Sequence, residues 1–483
     1  MRKILHYFPQ TGKSSLLLLL IIVLSSSVVQ AANLNAENVP DATSKVYLPI
    51  VPNNRCSRLQ PQTLFGLQMY GSTSNKSTYF ADLIASEASW VRVELSWEGI
   101  EPANTTPDKF KWSGSDQTLA AARDGCINVI GTFARAPSWA ASYITGPIDR
   151  APLSELGEVV GALAERYDGD GIQDAPGSPV VNYWEMYNEP DSLAPRPDQP
   201  SWATHGKEYA DMLAVAYPAI KAANPKAQVL FAGIAYDAFQ DQGGQFVRSF
   251  VDDVLNAGGG NYFDIMNFHV YPAFAKNWTN TGGTGVVEKA AVLRSKLSEH
   301  GLTKPFFITE MGWHNNNVAD NPSSNEVQSR YVVKLYISSL AADVKMATWW
   351  TLADVGNGYP YNMGLVTNGT PPVRKDAFAV YTLLSREIKT AIYERSWSAG
   401  ETQSAAAEVH QFTDAANNRK LYVAWINPVD TGNTHNISVS GASATVRDIY
   451  GTSSVVTDGA DGRVDGVLTI AISARPLYIE VGN

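Results

Sequence analysis

Val181-Asn-Tyr-Trp-Glu-Met-Tyr-Asn-Glu-Pro-Asp191 decides the reading of this chain. β-Branched and aromatic residues open it as a strand. Pro190, which has no N–H, stops the ladder just after Glu189. A carboxylate is thereby set at the C-terminal end of a strand. Pro305-Phe-Phe-Ile-Thr-Glu-Met-Gly-Trp313 repeats the device with Glu310. Two strand ends that each deliver a glutamate suit chemistry by paired carboxylates.

Working outward, short apolar runs alternate with helical periodicity. The expected strands are 64–70, 90–95, 128–133, 181–187, 228–235, 263–270, 305–309 and 346–351. The expected helices between them include 77–86, 115–124, 152–166, 205–223, 245–257, 286–300 and 325–342. Ser77, Ser115 and Ser154 read as helix N-caps. Asn224-Pro225 and Gly301 read as helix stops. Eight strands alternating with helices predict a (β/α)8 TIM barrel, of the α/β class, over residues 63–389. The rival is an open doubly wound sheet, which carries a Gly-rich phosphate turn after its first strand. Here Gly71-Ser-Thr-Ser-Asn75 stands at that position. From residue 390 onward the helical pattern gives way to alternating segments at 405–413, 420–428, 434–439, 444–450 and 466–481. These predict a small all-β sandwich over 390–483.

The N-terminus carries Arg2, Lys3 and Lys13, then the apolar run 16–24, then Val29-Gln-Ala31. That order predicts a signal peptide over 1–31 and a secreted product. The run is too short to span a bilayer, so no membrane contact is expected after cleavage. Residues 32–62 read as a linker with an apolar island at 46–51. Cys56 and Cys126 are the two cysteines; in an exported chain they predict one disulfide. No metal-ligand spacing is evident, and no cofactor is expected.

Composition narrows the function class. Hydrophobic residues make up 45% and charged residues 17%, as in globular proteins. A formal charge of −10 argues against nucleic acid as partner. Twelve Trp and 22 Tyr supply flat faces of the kind that stack on sugar rings. The residues at successive strand ends carry the chemistry, because barrel active sites lie there. These are Arg92, then Arg135 and Trp139, then Asn188 and Glu189. Next come His269 and Tyr271, then Glu310 with Trp313 and His314, then Trp349, Trp350 and Asp354.

Asn188-Glu189-Pro190, Thr309-Glu310, Arg92 and His269-Val-Tyr271 together resemble the retaining glycoside hydrolases of clan A, over roughly residues 60–390. The stretches 184–191 and 363–372 are most similar to family 39, with the cellulase-like family 5 next. The resemblance implies a secreted, monomeric enzyme that cleaves β-linked oligo- or polysaccharides by double displacement. It implies Glu189 as acid/base and Glu310 as nucleophile. It implies that Arg92 pairs with Glu310, Asn188 bonds the sugar 2-hydroxyl, Tyr271 donates to Glu310 and His269 meets a substrate hydroxyl. Trp350 floors the subsite, with a cis peptide to Thr351. Trp139 and Trp313 are further candidate sugar platforms. Two other readings of the same barrel are a catalytically silent carbohydrate-binding protein and a transglycosylase. Arg92 has its own alternative, a structural ion pair with Glu94.

Overall fold

The computed structural model describes residues 63–71, 77–193, 202–319 and 321–482. The expected signal peptide, the linker and Cys56 lie outside the described residues. Eight strands are β1 (Phe65–Gln68), β2 (Trp90–Ser96), β3 (Asn128–Ala134), β4 (Tyr183–Met186), β5 (Gln228–Leu230), β6 (Met266–Val270), β7 (Phe306–Met311) and β8 (Val344–Trp349). They form one parallel sheet in the order β5-β4-β3-β2-β1-β8-β7-β6. Bridges Leu230–Ile265 and Ile234–Phe268 span the gap between β5 and β6. The His269 N–H donates to the Ile234 carbonyl there at 2.8 Å. The ring thus closes as a barrel. Helices cover its outside, so every residue of β3 and of β7 is buried. Strands buried on both faces read as apolar runs, which is why all eight were visible in sequence.

Side chains of period two fill the barrel in layers. Trp90, Ile130, Leu230, Ile265, Phe307 and Met346 make an apolar floor. Two residues further along four of these strands come Arg92, Thr132, Asn267 and Thr309, all buried. β7 departs from the period. Its register against β6 and β8 shifts around Thr309, and a bulge of this kind re-aims a side chain. Thr309 and Glu310, adjacent in sequence, therefore both reach the interior groups.

The helix stops stand as expected: Asn224 caps Gly206–Ala223, and Gly301, at φ +68°, follows Val286–Glu299 and its C-cap His300. The three serine caps do not. Tyr79, Trp112 and Pro152 occupy the N-cap positions. Ser115 instead lies inside the first turn and donates back to the Trp112 carbonyl. Ser154 is likewise inside its helix.

Beyond the barrel lie β9 (Ile392–Ser396), β10 (Ala407–Asp414), β11 (Arg419–Ile426), β12 (His435–Ser440), β13 (Ser443–Asp448), β14 (Ser453–Thr457), β15 (Val467–Ile472) and β16 (Leu477–Gly482). Six form the sheet β14-β13-β16-β11-β10-β9, and β12 pairs with β15. One apolar core joins Ile437, Val439, Leu468 and Ile470 to Val409, Ala424 and Ile479. β9 and β14 were not foreseen. Both are edge strands with mostly exposed side chains, so no buried face leaves a period in their sequence. The single segment expected at 466–481 divides into β15 and β16.

The helix Asn325–Ala341 joins the two parts. Arg330 donates to the Val429 carbonyl at 2.8 Å. Glu326 receives Arg475 at 2.8 Å and the Tyr450 hydroxyl at 2.7 Å. Lys334, 1% exposed, donates to the Ile426 carbonyl and to Asn427 Oδ1, each at 3.1 Å. Burial pushes its ammonium down to about 7. Between that value and the ordinary lysine range, the unfolded chain holds a proton that the folded chain has released. Stability therefore rises with pH across this window. Relative to Lys334→Met, the wild type should gain a few kcal/mol from about pH 7 to about pH 10. Thermal melts of both proteins read this directly, and a difference independent of pH contradicts it.

Candidate active site

The backbone leaves β4 through two non-glycine residues in the left-handed region, Tyr187 at φ +71° and Glu189 at φ +43°. Asn188 bridges Gly233, and the Glu189 N–H donates to the Gly233 carbonyl at 2.9 Å. Gly233 must be glycine: a Cβ there would stand 2.1 Å from His269 Nε2 and 2.6 Å from Thr309 Oγ1. The absent side chain lets the segment after β5 approach the site closely enough to hold Glu189.

Arg92 is the hub. Its Nε donates to Glu185 at 2.6 Å. Its Nη1 donates to Gln68 Oε1 at 2.9 Å and to Glu310 Oε1 at 2.7 Å. Its Nη2 donates to Asn188 Oδ1 at 2.7 Å. The alternative pairing with Glu94 is not formed; Glu94 stands 3.7 Å from Arg135 at the more exposed rim. Glu185 is fully buried and receives donors from Arg92, Thr132 (2.5 Å), Asn267 (2.7 Å), Thr309 (2.7 Å) and the Gly233 N–H (3.1 Å). Burial alone would raise this carboxyl, but the guanidinium and the hydrogen bonds outweigh it and hold it below the usual carboxylate range.

Glu310, 7% exposed, receives the Tyr271 hydroxyl on Oε2 at 2.7 Å. The His269 ring lies between the two strand-end glutamates. Its Nδ1 is 3.0 Å from Glu189 Oε1 and 3.7 Å from Glu310 Oε2. Its Nε2 is 3.2 Å from Thr309 Oγ1. A carboxylate oxygen of Glu189, one of Glu310 and a His269 ring nitrogen all lie within 4.8 Å of one another. Glu189 and Glu310 thus face each other across a gap of a few ångströms. Asp168, Asp170 and Asp174 also gather ligand atoms within 4.8 Å. They sit on the connection into β4, at the opposite end of the barrel. Either set is close enough to share a cation.

Trp350 stands beside the glutamates. Its ring is edge-on to Tyr271 and to Tyr70, at centroid distances of 6.5 and 6.4 Å. Its indole N–H donates to the Tyr70 hydroxyl at 2.8 Å. The Trp350–Thr351 peptide is cis. The other two expected platforms also make contacts within the protein. Trp313 is 5% exposed, donates to Ser323 Oγ at 3.0 Å and packs at a tilt against Tyr331 and His314. Trp139 donates to the Glu101 carbonyl at 3.1 Å and stands edge-on to Trp97. Cys126 is disulfide-bonded.

Sequence reading assigned no role to Gln68, Tyr70, Thr132, Glu185, Asn267 and Thr309. A signal existed for four of them. Thr132, Glu185, Asn267 and Thr309 are polar residues inside largely apolar strands, and Asn267 shares a face with His269 two positions on.

Eight parallel strands with glutamates presented after the fourth and on the seventh define a glycoside hydrolase of the clan A fold. The chain belongs to the cellulase family, glycosyl hydrolase family 5, whose model matches residues 56–354. No curated protein matches the sequence. Among solved structures it is similar to a family 39 glycoside hydrolase from the gut symbiont Bacteroides cellulosilyticus. That match has 20% identity and a TM-score of 0.64, covering 88% of this chain and 81% of that one. A family 30 endoxylanase from Clostridium papyrosolvens matches at 13% identity and TM-score 0.57, over 88% and 97% of the two chains. An α-L-arabinofuranosidase from Thermotoga maritima matches at 10% identity and TM-score 0.55, over 87% and 96%. At these identities the likeness is one of fold. The chain is a glycosidase, and carbohydrate is its substrate.

Proposed function

We propose that this enzyme hydrolyses β-linked oligo- or polysaccharides with retention of configuration, after export directed by its first 31 residues. The close approach of Glu189 and Glu310 carries the reading. Retaining enzymes hold their carboxyls roughly 5–5.5 Å apart, too close for a water between them, whereas inverting enzymes leave a wider gap. The surroundings support the division of labour. Glu310 receives a guanidinium and a phenol, donors that suit a carboxylate nucleophile. Glu189 is the more exposed of the two and is within reach of an incoming glycosidic oxygen and, later, of water.

In the first step a Glu310 oxygen bonds to the anomeric carbon while Glu189 gives its proton to the departing oxygen. In the second, Glu189 takes a proton from water. The water oxygen bonds to the anomeric carbon, and the Glu310 ester bond breaks. Asn188, held by Arg92, is set to bond the 2-hydroxyl, and Trp350 floors the sugar.

Proton NMR of a turning-over aryl β-glycoside tests the proposal. The first hemiacetal formed should be the β anomer. An α anomer formed first overturns the retaining assignment.

A further inference from the structure

We propose that Asp191 is the positioning residue that aims the Glu189 carboxyl, by clasping the segment after β4 to the segment after β5. The inference rests on the reading of Glu189 as the acid. Asp191 is fully buried. Its Oδ1 accepts the Ala235 N–H at 3.1 Å and its Oδ2 the Tyr236 N–H at 2.7 Å. Its own carbonyl accepts the Val247 N–H at 2.8 Å. Pro190 alone separates it from Glu189, and the ring fixes the backbone between the two carboxylates. Glu189 is tied to the same segment through its N–H on the Gly233 carbonyl at 2.9 Å.

That segment is itself anchored. Lys289, fully buried, donates to the Ala235 carbonyl, to Asp237 Oδ2 at 2.6 Å and to the His269 carbonyl at 2.8 Å. The His269 ring returns to Glu189 at 3.0 Å. The contacts form a closed circuit: Glu189, Pro190, Asp191, Ala235, Lys289, His269 and back to Glu189. Asp191 is the member that fixes the backbone two residues from the acid. Burial, with the nearby Glu189 charge adding to it, pushes the Asp191 carboxyl up to about 7. A carboxyl kept in so unfavourable a place serves the geometry it holds.

Asp191→Asn and Asp191→Ser test this, beside wild type and Glu189→Gln. The substrates are one aryl β-glycoside with a good leaving group (dinitrophenol) and one with a poor one (phenol). A poor leaving group needs the acid; a good one does not. Mis-aiming Glu189 should lower kcat/KM on the phenyl substrate about 100-fold and leave the dinitrophenyl substrate within about five-fold. Azide should then speed turnover of the dinitrophenyl substrate by attacking the glycosyl–Glu310 ester, with glycosyl azide as product. A structural role alone would slow both substrates together. Equal losses, no loss, or failure of both variants to give the wild-type circular dichroism spectrum overturns the proposal. If Glu189→Gln itself shows no leaving-group dependence, the assignment of Glu189 fails first and this inference falls with it.

Discussion

Glu310→Gln is expected to abolish turnover, lowering kcat on the order of 10^5-fold, while the barrel stays folded. Removing a covalent nucleophile from a preorganised site costs about 10^6-fold in a well-measured hydrolase. Binding and acid catalysis account for the remainder. The substitution conserves shape. A glutamine oxygen can still accept either from Arg92 Nη1 or from the Tyr271 hydroxyl, the two donors that meet Glu310. Arg92 also keeps its bond to Glu185. The stability cost should therefore stay near that of one unsatisfied hydrogen bond, about 1–3 kcal/mol. Steady-state rates with dinitrophenyl glycosides and a thermal melt check both halves. Retention of a tenth or more of the activity contradicts the assignment.

Arg92→Met is expected to cost stability as well as activity. It leaves Glu185, fully buried, and Glu310, nearly so, without the cation they share. Breaking a buried pair from one side costs about 3–5 kcal/mol, out of about 5–15 kcal/mol for a whole domain. The pH dependence should change sign. In the wild type, burial is outweighed at Glu185 by Arg92, so the folded carboxyl sits below its unfolded value. Its contribution is present above the unfolded value and is lost as pH falls through the folded one. Without Arg92, burial remains and raises the carboxyl instead. The variant should then be more stable near pH 5 than near pH 8 from this group, because the folded state holds the extra proton. Denaturation midpoints at the two pH values, compared with wild type, decide it. The same trend in both proteins would contradict the role given to Arg92.

The barrel was legible in sequence for a specific reason. Strands buried on both faces must be apolar throughout, so β3 and β7 announce themselves. The strand-end residues Arg92, Glu189, His269, Tyr271, Glu310 and Trp350 followed once the strands were placed. What stayed hidden depends on contacts across the ring. Glu185 reads as one charge in an apolar strand, and only the closed barrel brings Arg92, Asn267 and Thr309 to it. The inward turn of Glu310 beside Thr309 depends on a bulge that no local pattern records. Trp313 shows the opposite case. Its place after Glu310 suggested a sugar platform, yet Tyr331 and Ser323 claim the ring for the core. The serine caps misled because Ser115 and Ser154 fall within the first turns of helices that start earlier. β9 and β14, exposed at the sheet edges, leave no alternation to read.

Trapping the glycosyl–enzyme tests the central claim most directly. A panel of 2-deoxy-2-fluoro β-glycosides with dinitrophenyl leaving groups is incubated with the enzyme, digested and mapped by mass spectrometry. The account predicts one sugar adduct, on the peptide carrying Glu310. An adduct on any other residue, or none from a sugar whose ordinary aryl glycoside is turned over, would contradict it.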